Sequence, residues 1–247
     1  MRWEIGHSFC DLWIMPDILK IAAKSELRFL PKSRIHGFYH SPRSHEVEEE
    51  LSKYLMLHNV PCIASTFTVK GGFYSRYGEK IHVSEINCPN VALLDSDVLM
   101  VHDMDCIWDL DFDVAVIHNS PYMESMFKEQ TFVNQWNEMF TKYGKRINSP
   151  YVNAGIVFAK NNILREIRDE WIYLLDEDLP KLTHGYCKEE YVLSLCLADK
   201  NVLHLSKDIV KDFPLRESPF PTSIFEFEKE STPLMWHIGY YGLNVEF

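Results

Sequence analysis

The sequence predicts a single α/β domain built on a mostly parallel central sheet with helices on both of its faces. Apolar runs of strand length alternate along the chain with amphipathic patterns of helical period, which is the order of elements in sheets with right-handed crossovers. The run at 91–94, VALL, is apolar at consecutive positions, as in a strand that is covered on both faces. No repeat and no Pro- or Gly-rich linker divides the 247 residues, 46% of which are hydrophobic, so one large core is expected.

The individual elements follow from spacing and composition. Before the first helix only MRWEIGHS is present, with at most a brief strand over Trp3 to Gly6. Helices are predicted where apolar residues recur every three or four positions, and strands where β-branched and aromatic residues cluster. We interpret the chain as one domain with two halves, about 1–115 and about 116–247. The predicted helices are 17–27, 44–59, 162–175 and 188–198, and the predicted strands are 34–40, 61–69, 90–100, 112–118 and 151–161.

The charge and cysteine content limit the classes of partner. A formal net charge of -11, from 36 acidic and 25 basic residues, argues against nucleic acid and against an anionic membrane surface. A ligand that carries phosphate must therefore meet a local positive group or a metal ion. The six cysteines form no C-x-x-C pair, and the chain has neither a leader pattern nor an apolar run of membrane-spanning length. These features predict reduced thiols, no membrane span and a cytoplasmic protein.

Two aspartates follow the buried strand directly. Asp95 and Asp97 come after the apolar run at the point where open α/β sheets bind their ligands, beyond the carboxyl ends of the strands. Two carboxylates at such a place would collect a hard divalent cation, which could hold a diphosphate. The alternative is that Asp95 caps a turn and Asp97 is solvated. The strand context favours the metal site.

Two other D-x-D pairs have weaker contexts. Asp103 with Asp105, and Asp111 with Asp113, do not follow an uninterrupted apolar strand. In a chain this rich in acids, such triplets are expected by chance. We interpret these four residues as structural.

Four segments in order resemble a known family. They are ALLDSDVLMVHD, YVNAGIVFAKN, KEEYVLSL and MWHIGYYG, and the correspondence runs from about Ile18 to Gly242. They are similar to glycosyltransferases of the GT-A fold, especially retaining enzymes of glycosyltransferase family 8, the glycogenin and lipopolysaccharide galactosyltransferase type. The resemblance implies a hexosyl- or pentosyltransferase that moves a sugar from a nucleotide-sugar donor, most simply a UDP-sugar, to a saccharide or other hydroxyl acceptor. It also assigns the nucleotide and the metal to the first half and the acceptor to the second.

The resemblance implies a role for each matching residue. A carboxylate pair with an imidazole suits Mn²⁺, and Mg²⁺ less comfortably. Glu190 stands where the family has Gln, nearest the reacting face, and Glu189 would bind donor or acceptor hydroxyls. Lys80 lies four residues after the diphosphate-binding Arg76. The implied metal ligands are Asp95, Asp97 and His237, and the implied donor-binding residues are Asp95, Ser96, Asn153, Ala154, Gly155 and Arg76.

The sequence departs from the family in several places. His237 is followed by Gly at the second position and not the third, and the family's later Lys is missing, so Arg76, Lys207 or Lys211 would have to compensate. The first strand is short, so the sequence does not identify which nucleotide base the pocket would bind. A carboxylate at Glu190 could act as nucleophile or base, so the stereochemical outcome is open as well.

Other functions compete with sugar transfer. A phosphatase of the haloacid dehalogenase type also begins with a strand and D-x-D, but it needs Thr or Val where Leu99 stands. A sugar nucleotidyltransferase would carry a Gly-rich phosphate loop near residue 10, and that loop is missing. A non-catalytic carbohydrate-binding relative is the third alternative. Aromatic residues in 120–140 and 212–227 would either stack on acceptor sugars or fill the core.

Overall fold

The computed structural model describes most of the predicted sheet. It covers residues 2–10, 22–40, 62–64, 80–95, 97–117, 125–147, 149–177, 188–212 and 234–237. The predicted helix 44–59, the first five residues of the predicted helix 17–27 and nearly all of the stretch 212–227 lie outside these residues. Arg76 and Ser96 lie outside them as well.

Seven of the described strands form the central sheet. They are β1 (Glu4–Cys10), β2 (Ile35–His40), β3 (Cys62–Ala64), β4 (Val91–Leu94), β6 (Val114–Ile117), β7 (Ile156–Ala159) and β8 (Val202–Leu205). Their order across the sheet is β3-β2-β1-β4-β7-β6-β8. Every neighbouring pair is parallel except those made by β7, which runs antiparallel to both β4 and β6. The mostly parallel α/β sheet is therefore confirmed.

A second sheet has three strands, and one of them directly follows the D-x-D segment in the sequence. It consists of β5 (Val98–Met100), β9 (Val210–Asp212) and β10 (Met235–His237), with β10 in the middle. β10 is antiparallel to β5 and parallel to β9. The predicted strand 90–100 is thus two strands, because the chain turns at the aspartates and changes sheets.

The helices flank the central sheet. They are α1 (Gln130–Lys142), α2 (Ile163–Glu166), α3 (Arg168–Glu177) and α4 (Lys188–Cys196), and residues 22–26 are also helical. The predicted helix 162–175 is broken at Ile167, which ends α2 just before α3 begins. Across the described ranges, no helix is long and apolar enough to cross a membrane. Cys88, Cys106 and Cys196 are free thiols.

Strand β4 is buried on both faces, as its consecutive apolar residues predict. Val91 and Leu93 belong to one hydrophobic cluster, and Ala92 and Leu94 belong to the cluster on the other side of the sheet. All four side chains are at most 5% exposed. The chain thus emerges from between two cores at Asp95.

Helix α1 falls in the segment that was a candidate acceptor loop. Its Phe132, Trp136 and Phe140 are buried in the core. The Trp136 ring stacks on Phe140 at 4.4 Å between ring centroids and on Tyr151 at 5.8 Å. Of the two alternatives for these aromatics, core packing is the one that the structure supports.

Strand β1 is longer than the sequence suggests and is a central strand between β2 and β4. Its Gly6 lies against residues 83–86. A Cβ at Gly6 would lie 2.7 Å from Val83 Cγ2 and 3.0 Å from Ile86 Cδ1, both of which belong to buried side chains. Glycine at this position therefore permits the close approach of β1 to the segment that follows Lys80.

Gly6→Ala should lower the free energy of unfolding by about 1–3 kcal/mol, because the added methyl overpacks a filled site. Chemical denaturation followed by circular dichroism measures the change. The control is Gly6→Ala combined with Val83→Ala, which removes the two clashing methyl groups. The loss in the double variant should be smaller than the sum of the two single losses. Simple additivity would show that Gly6 and Val83 do not compete for space.

Candidate active site

The site begins where β4 ends and β7 starts. The antiparallel register places Leu94 opposite Ile156, so the residues just beyond this pair meet outside the ladder. There the Asp95 N–H donates to the Gly155 carbonyl at 2.7 Å. The predicted D-x-D and Asn-Ala-Gly segments are therefore in direct contact, although about 60 residues separate them in the sequence.

Glycine at position 155 leaves room around this contact. A Cβ on Gly155 would lie 3.0 Å from Asp95 Oδ2 and 3.1 Å from Asn153 Oδ1. Asn153 Oδ1 itself accepts a hydrogen bond from the Gly155 N–H at 2.8 Å. The missing side chain leaves Oδ2 of Asp95 uncovered by residue 155, while Asn153 holds the turn.

Lys80 supplies a buried positive charge beside these residues. Its Nζ lies 3.0 Å from Asp95 Oδ1 and donates to the Ala154 carbonyl at 3.1 Å. Burial lowers the pKa of Lys80, but the nearby carboxyl groups of Asp95, Glu189 and Glu190 outweigh burial, and the pKa is raised overall. Lys80 is therefore a permanent cation that neutralises Asp95.

Glu190, on the first turn of α4, holds the loop that precedes β7. Its Oε1 accepts the Ala154 N–H at 3.1 Å, and its Oε2 accepts the Tyr151 hydroxyl at 2.6 Å. One turn later, Ser194 Oγ accepts the Val152 N–H at 2.8 Å and donates to the Glu190 carbonyl at 2.6 Å. The sequence prediction placed Glu190 nearest the reacting face. Both carboxylate oxygens hold the loop in position, and the place of Glu190 nearest the reacting face stays a prediction.

Glu189, the preceding residue, differs from Glu190 in the hydrogen bonding of its carboxyl group. The residue is 7% exposed, and among the described residues its Oε2 has no hydrogen-bond partner. Burial raises its pKa to about 8, with Lys80 acting against that rise and Glu190 and Asp95 adding to it. The raised pKa favours the protonated form of Glu189, which can donate a hydrogen bond. Among the described residues, Oε2 of Glu189 is without a partner, whereas both carboxylate oxygens of Glu190 are bonded.

The predicted metal ligands meet only partly in the described residues. Asp97 is half-buried and directly precedes β5, and the register of β10 on β5 places His237 opposite Val98, next to Asp97. The structure describes the backbone of His237 but not its side chain. Among the residues whose side chains are described, no group of three His, Cys, Asp or Glu could hold a metal ion. The register still brings the predicted third ligand to the D-x-D segment.

The two other D-x-D pairs have structural partners. Asp103 Oδ1 accepts the Asp105 N–H at 2.7 Å, at the start of a short 3₁₀ helix over Asp105–Asp109. Asp105 Oδ1 accepts the Trp3 indole N–H at 2.6 Å. Asp113 Oδ2 accepts the Asn201 N–H at 2.9 Å. These bonds support the interpretation of these acids as structural.

Comparison with solved structures then fixes the fold. Over 96% of this chain, the structure superimposes on the glycosyltransferase LgtC in complex with donor and acceptor sugar analogues, at 17% identity and a TM-score of 0.55. The structure also matches mouse xyloside xylosyltransferase 1, with a TM-score of 0.53 at 11% identity. The chain has the GT-A fold. The GT-A match removes the structural basis for the phosphatase alternative.

The extent of these matches differs. The GT-A chain covers 87% of LgtC and 98% of the mouse enzyme. It spans only 45% of the bifunctional glycosyltransferase WbbM, which it matches at 14% identity and a TM-score of 0.59. No protein-family model matches the sequence, and no curated protein matches it either. The likeness is therefore one of fold.

Sequence reasoning missed several partners in this GT-A site. It mentioned Lys80 only beside Arg76, whereas the structure pairs Lys80 with Asp95, 15 residues further along the chain. Tyr151 and Ser194 carry no motif of their own. The Ser194 contact could have been found from its position, since it lies four residues after Glu190 and so on the same helix face.

Isosteric substitutions of the two glutamates should have opposite effects on stability. A carboxyl group whose pKa is raised on folding, from 4.5 to about 8, contributes stability that is present below pH 4.5 and lost as the pH rises to 8. Glu189→Gln cannot ionise, so its stability relative to the wild type should increase from about pH 5 to pH 8. Thermal melts across this range measure the difference.

The matched control is Glu190→Gln. Its amide has one acceptor oxygen for the two donors that Glu190 now binds, so it should lose about 1–3 kcal/mol across the same pH range. A pH-independent difference between Glu189→Gln and the wild type would contradict the raised pKa of Glu189. A fully stable Glu190→Gln variant would contradict the positioning role of Glu190.

Proposed function

We propose that this protein is a divalent-cation-dependent glycosyltransferase that moves a sugar from a nucleoside-diphosphate sugar to a saccharide or other hydroxyl acceptor. The carrying observation is the convergence of Asp95, Gly155 and Glu189 at the carboxyl end of β4, within a GT-A fold. LgtC, a neighbour of the same fold, is described with donor and acceptor sugar analogues. A UDP-sugar is the first donor to test.

The residues at the strand end fit a divalent cation. Gly155 leaves Asp95 Oδ2 uncovered, Asp97 follows at the turn, and the β10 register brings the backbone of His237 alongside. Two carboxylates and an imidazole suit Mn²⁺, with Mg²⁺ as the alternative. When bound, the cation supplies the positive charge that stabilises a departing diphosphate. The acidic surface of the whole protein cannot supply that charge.

The remaining charges of the site support a positioning mechanism. The Lys80 ammonium faces the carboxyl groups of Asp95, Glu189 and Glu190, so acids outnumber this cation within the buried site. Lys80 binds both Asp95 and the Ala154 carbonyl and so holds these two groups in place. A donor sugar would lie against them. Holding the reactants in place in this way is the main contribution that a protein can make to such a transfer.

Glu189 is the group best placed to bind a sugar hydroxyl. Because its carboxyl group is protonated near neutral pH, it would donate a hydrogen bond to a hydroxyl oxygen. Neither glutamate is then an ionised, unoccupied nucleophile, since Glu190 binds the loop through both oxygens. Retention of the anomeric configuration would therefore proceed without a covalent intermediate on these two residues.

A donor-hydrolysis screen tests this proposal. Purified protein is incubated with UDP-glucose, UDP-galactose and UDP-xylose, with and without Mn²⁺, and release of UDP is measured. We expect turnover only with the cation, and we expect Asp97→Asn to lower it by at least about 100-fold without loss of folding. The control is Asp111→Asn, an exposed acid of another D-x-D triplet, which should retain wild-type turnover.

Two results would overturn the assignment. Full activity of Asp97→Asn would show that Asp97 is not a metal ligand and would contradict the proposed metal site. Binding of a UDP-sugar by calorimetry without hydrolysis or transfer to any hydroxyl acceptor would instead support a non-catalytic carbohydrate-binding protein.

A further inference from the structure

A buried histidine–glutamate pair lies directly behind the D-x-D segment. His7 comes from β1 and Glu26 from the helical residues 22–26, and their side chains are 1% and 0% exposed. His7 Nε2 lies 2.8 Å from Glu26 Oε1 and 2.9 Å from Oε2. His7 Nδ1 lies 3.1 Å from the carbonyl oxygen of Leu94. The imidazole thus bridges the helical segment to the last residue of β4.

The geometry limits this pair to two protonation states. The Leu94 carbonyl can only accept, so Nδ1 must donate, and the Glu26 side chain faces Nε2. Either the ring is an imidazolium that donates from both nitrogens, or Glu26 carries the proton between them. Burial lowers the pKa of His7, but Glu26, the Leu94 carbonyl and Asp95 outweigh burial and raise it overall. Both bonds of the ring are therefore present at neutral pH.

His7 completes the restraint on the peptide group that precedes Asp95. That peptide joins the Leu94 carbonyl to the Asp95 N–H and is planar. Its oxygen is held by His7, and its N–H is held by the Gly155 carbonyl at 2.7 Å. With both ends bonded, the direction in which the chain leaves β4 toward Asp95 is set.

Ser25, which precedes Glu26 in the helical segment, binds the strand that follows the aspartates. Ser25 is fully buried, and its Oγ accepts the Met100 N–H at 3.0 Å while its hydroxyl donates to the Ala22 carbonyl at 2.6 Å. Met100 lies in β5, which begins just after Asp97. Ser25 therefore binds β5 directly, while Glu26 acts on β4 through the His7 ring.

We propose that His7, Glu26 and Ser25 form a clamp that fixes the spacing of β4 and β5 and so positions Asp95 and Asp97. The clamp contributes geometry more than stability, because a buried ion pair seldom stabilises more than apolar packing of the same volume. As positioning residues for the proposed sugar transfer, its members act through the aspartates. This part of the inference rests on the proposed function.

His7→Gln, Ser25→Ala and Glu26→Gln separate the contacts. The amide introduced by His7→Gln keeps a polar group near Glu26 but removes the donor to Leu94, and Ser25→Ala removes the acceptor for Met100. Glu26→Gln is the conservative variant, since its amide can donate to Nε2 of a neutral His7 whose Nδ1 still donates to Leu94. We expect kcat for UDP-sugar hydrolysis to fall about 10- to 100-fold in the first two variants, with KM changed less, and to be largely retained in Glu26→Gln.

A matched structural control lies at the other end of β1. His36 Nε2 contacts Glu4 Oε2 at 2.8 Å in a second, partly buried pair that is remote from the strand ends of the site. His36→Gln should lower the melting temperature while leaving kcat unchanged. If His36→Gln lost as much kcat as His7→Gln, the effect of the clamp residues would be one of general stability, and the proposal would be overturned.

Amide hydrogen exchange tests the clamp independently of catalysis. His7→Gln should speed exchange at the Asp95 N–H, and Ser25→Ala should speed it at the Met100 N–H, each by at least about tenfold more than in His36→Gln. Unchanged exchange at both amides would overturn the clamp even if the enzyme is active. Conversely, if the wild type hydrolyses no UDP-sugar but these amides lose protection as expected, the clamp stands and the proposed function fails.

Discussion

The burial of several acids around one ammonium group is the constraint on which the site depends. Where β4, β7 and α4 meet, Glu190 is buried and Asp95 is only 31% exposed, and a carboxylate withdrawn from water is costly unless it is paired or hydrogen-bonded. Lys80 pairs with Asp95, and backbone and tyrosine donors pair with Glu190. The Oε2 atom of Glu189 has no hydrogen-bond partner among the described residues, and burial raises the pKa of this carboxyl group to about 8. One arrangement of charge thus separates two adjacent glutamates into a structural anion and a neutral hydrogen-bond donor.

The antiparallel strand β7 makes this arrangement possible. In a wholly parallel sheet the segment 151–155 would lie at the end opposite to Asp95. Because β7 runs against β4, its start meets the end of β4, and Gly155 permits contact without a side chain between them. Helix α4 then closes the cluster from the side through its first turn. The acidic residues of that turn, which would be favourable at any helix N-terminus, are here buried in the site.

Local patterns in the sequence were sufficient for the strand that carries the aspartates and for the motifs that meet there. Four consecutive apolar residues predicted that β4 is covered on both faces, and the D-x-D and Asn-Ala-Gly segments proved to be in contact. The roles of Glu189 and Glu190 could not be read locally, since adjacent helix residues point about 100° apart and only the packing of α4 decides which one meets the loop. The direction of β7, the core position of α1 and the pairing of His7 with Glu26 depend on topology, which no short window contains. Metal binding by Asp95, Asp97 and His237 stays a prediction, as do the roles of Arg76 and Ser96.

The continuity of the sheet has a consequence for how substrates reach the site. Strands β1 to β4 occupy the positions from β3 to β4, and strands β6 to β8 occupy the positions from β7 to β8, so these two parts of the sheet meet along the β4–β7 ladder beside the cluster. Pairing of β5 with β10 makes a second seam. Hinge bending between the two parts would have to break these ladders and expose unpaired backbone. A donor or acceptor bound at the cluster as proposed would therefore meet a continuous floor of paired strands, and its entry and exit would not involve bending of that floor.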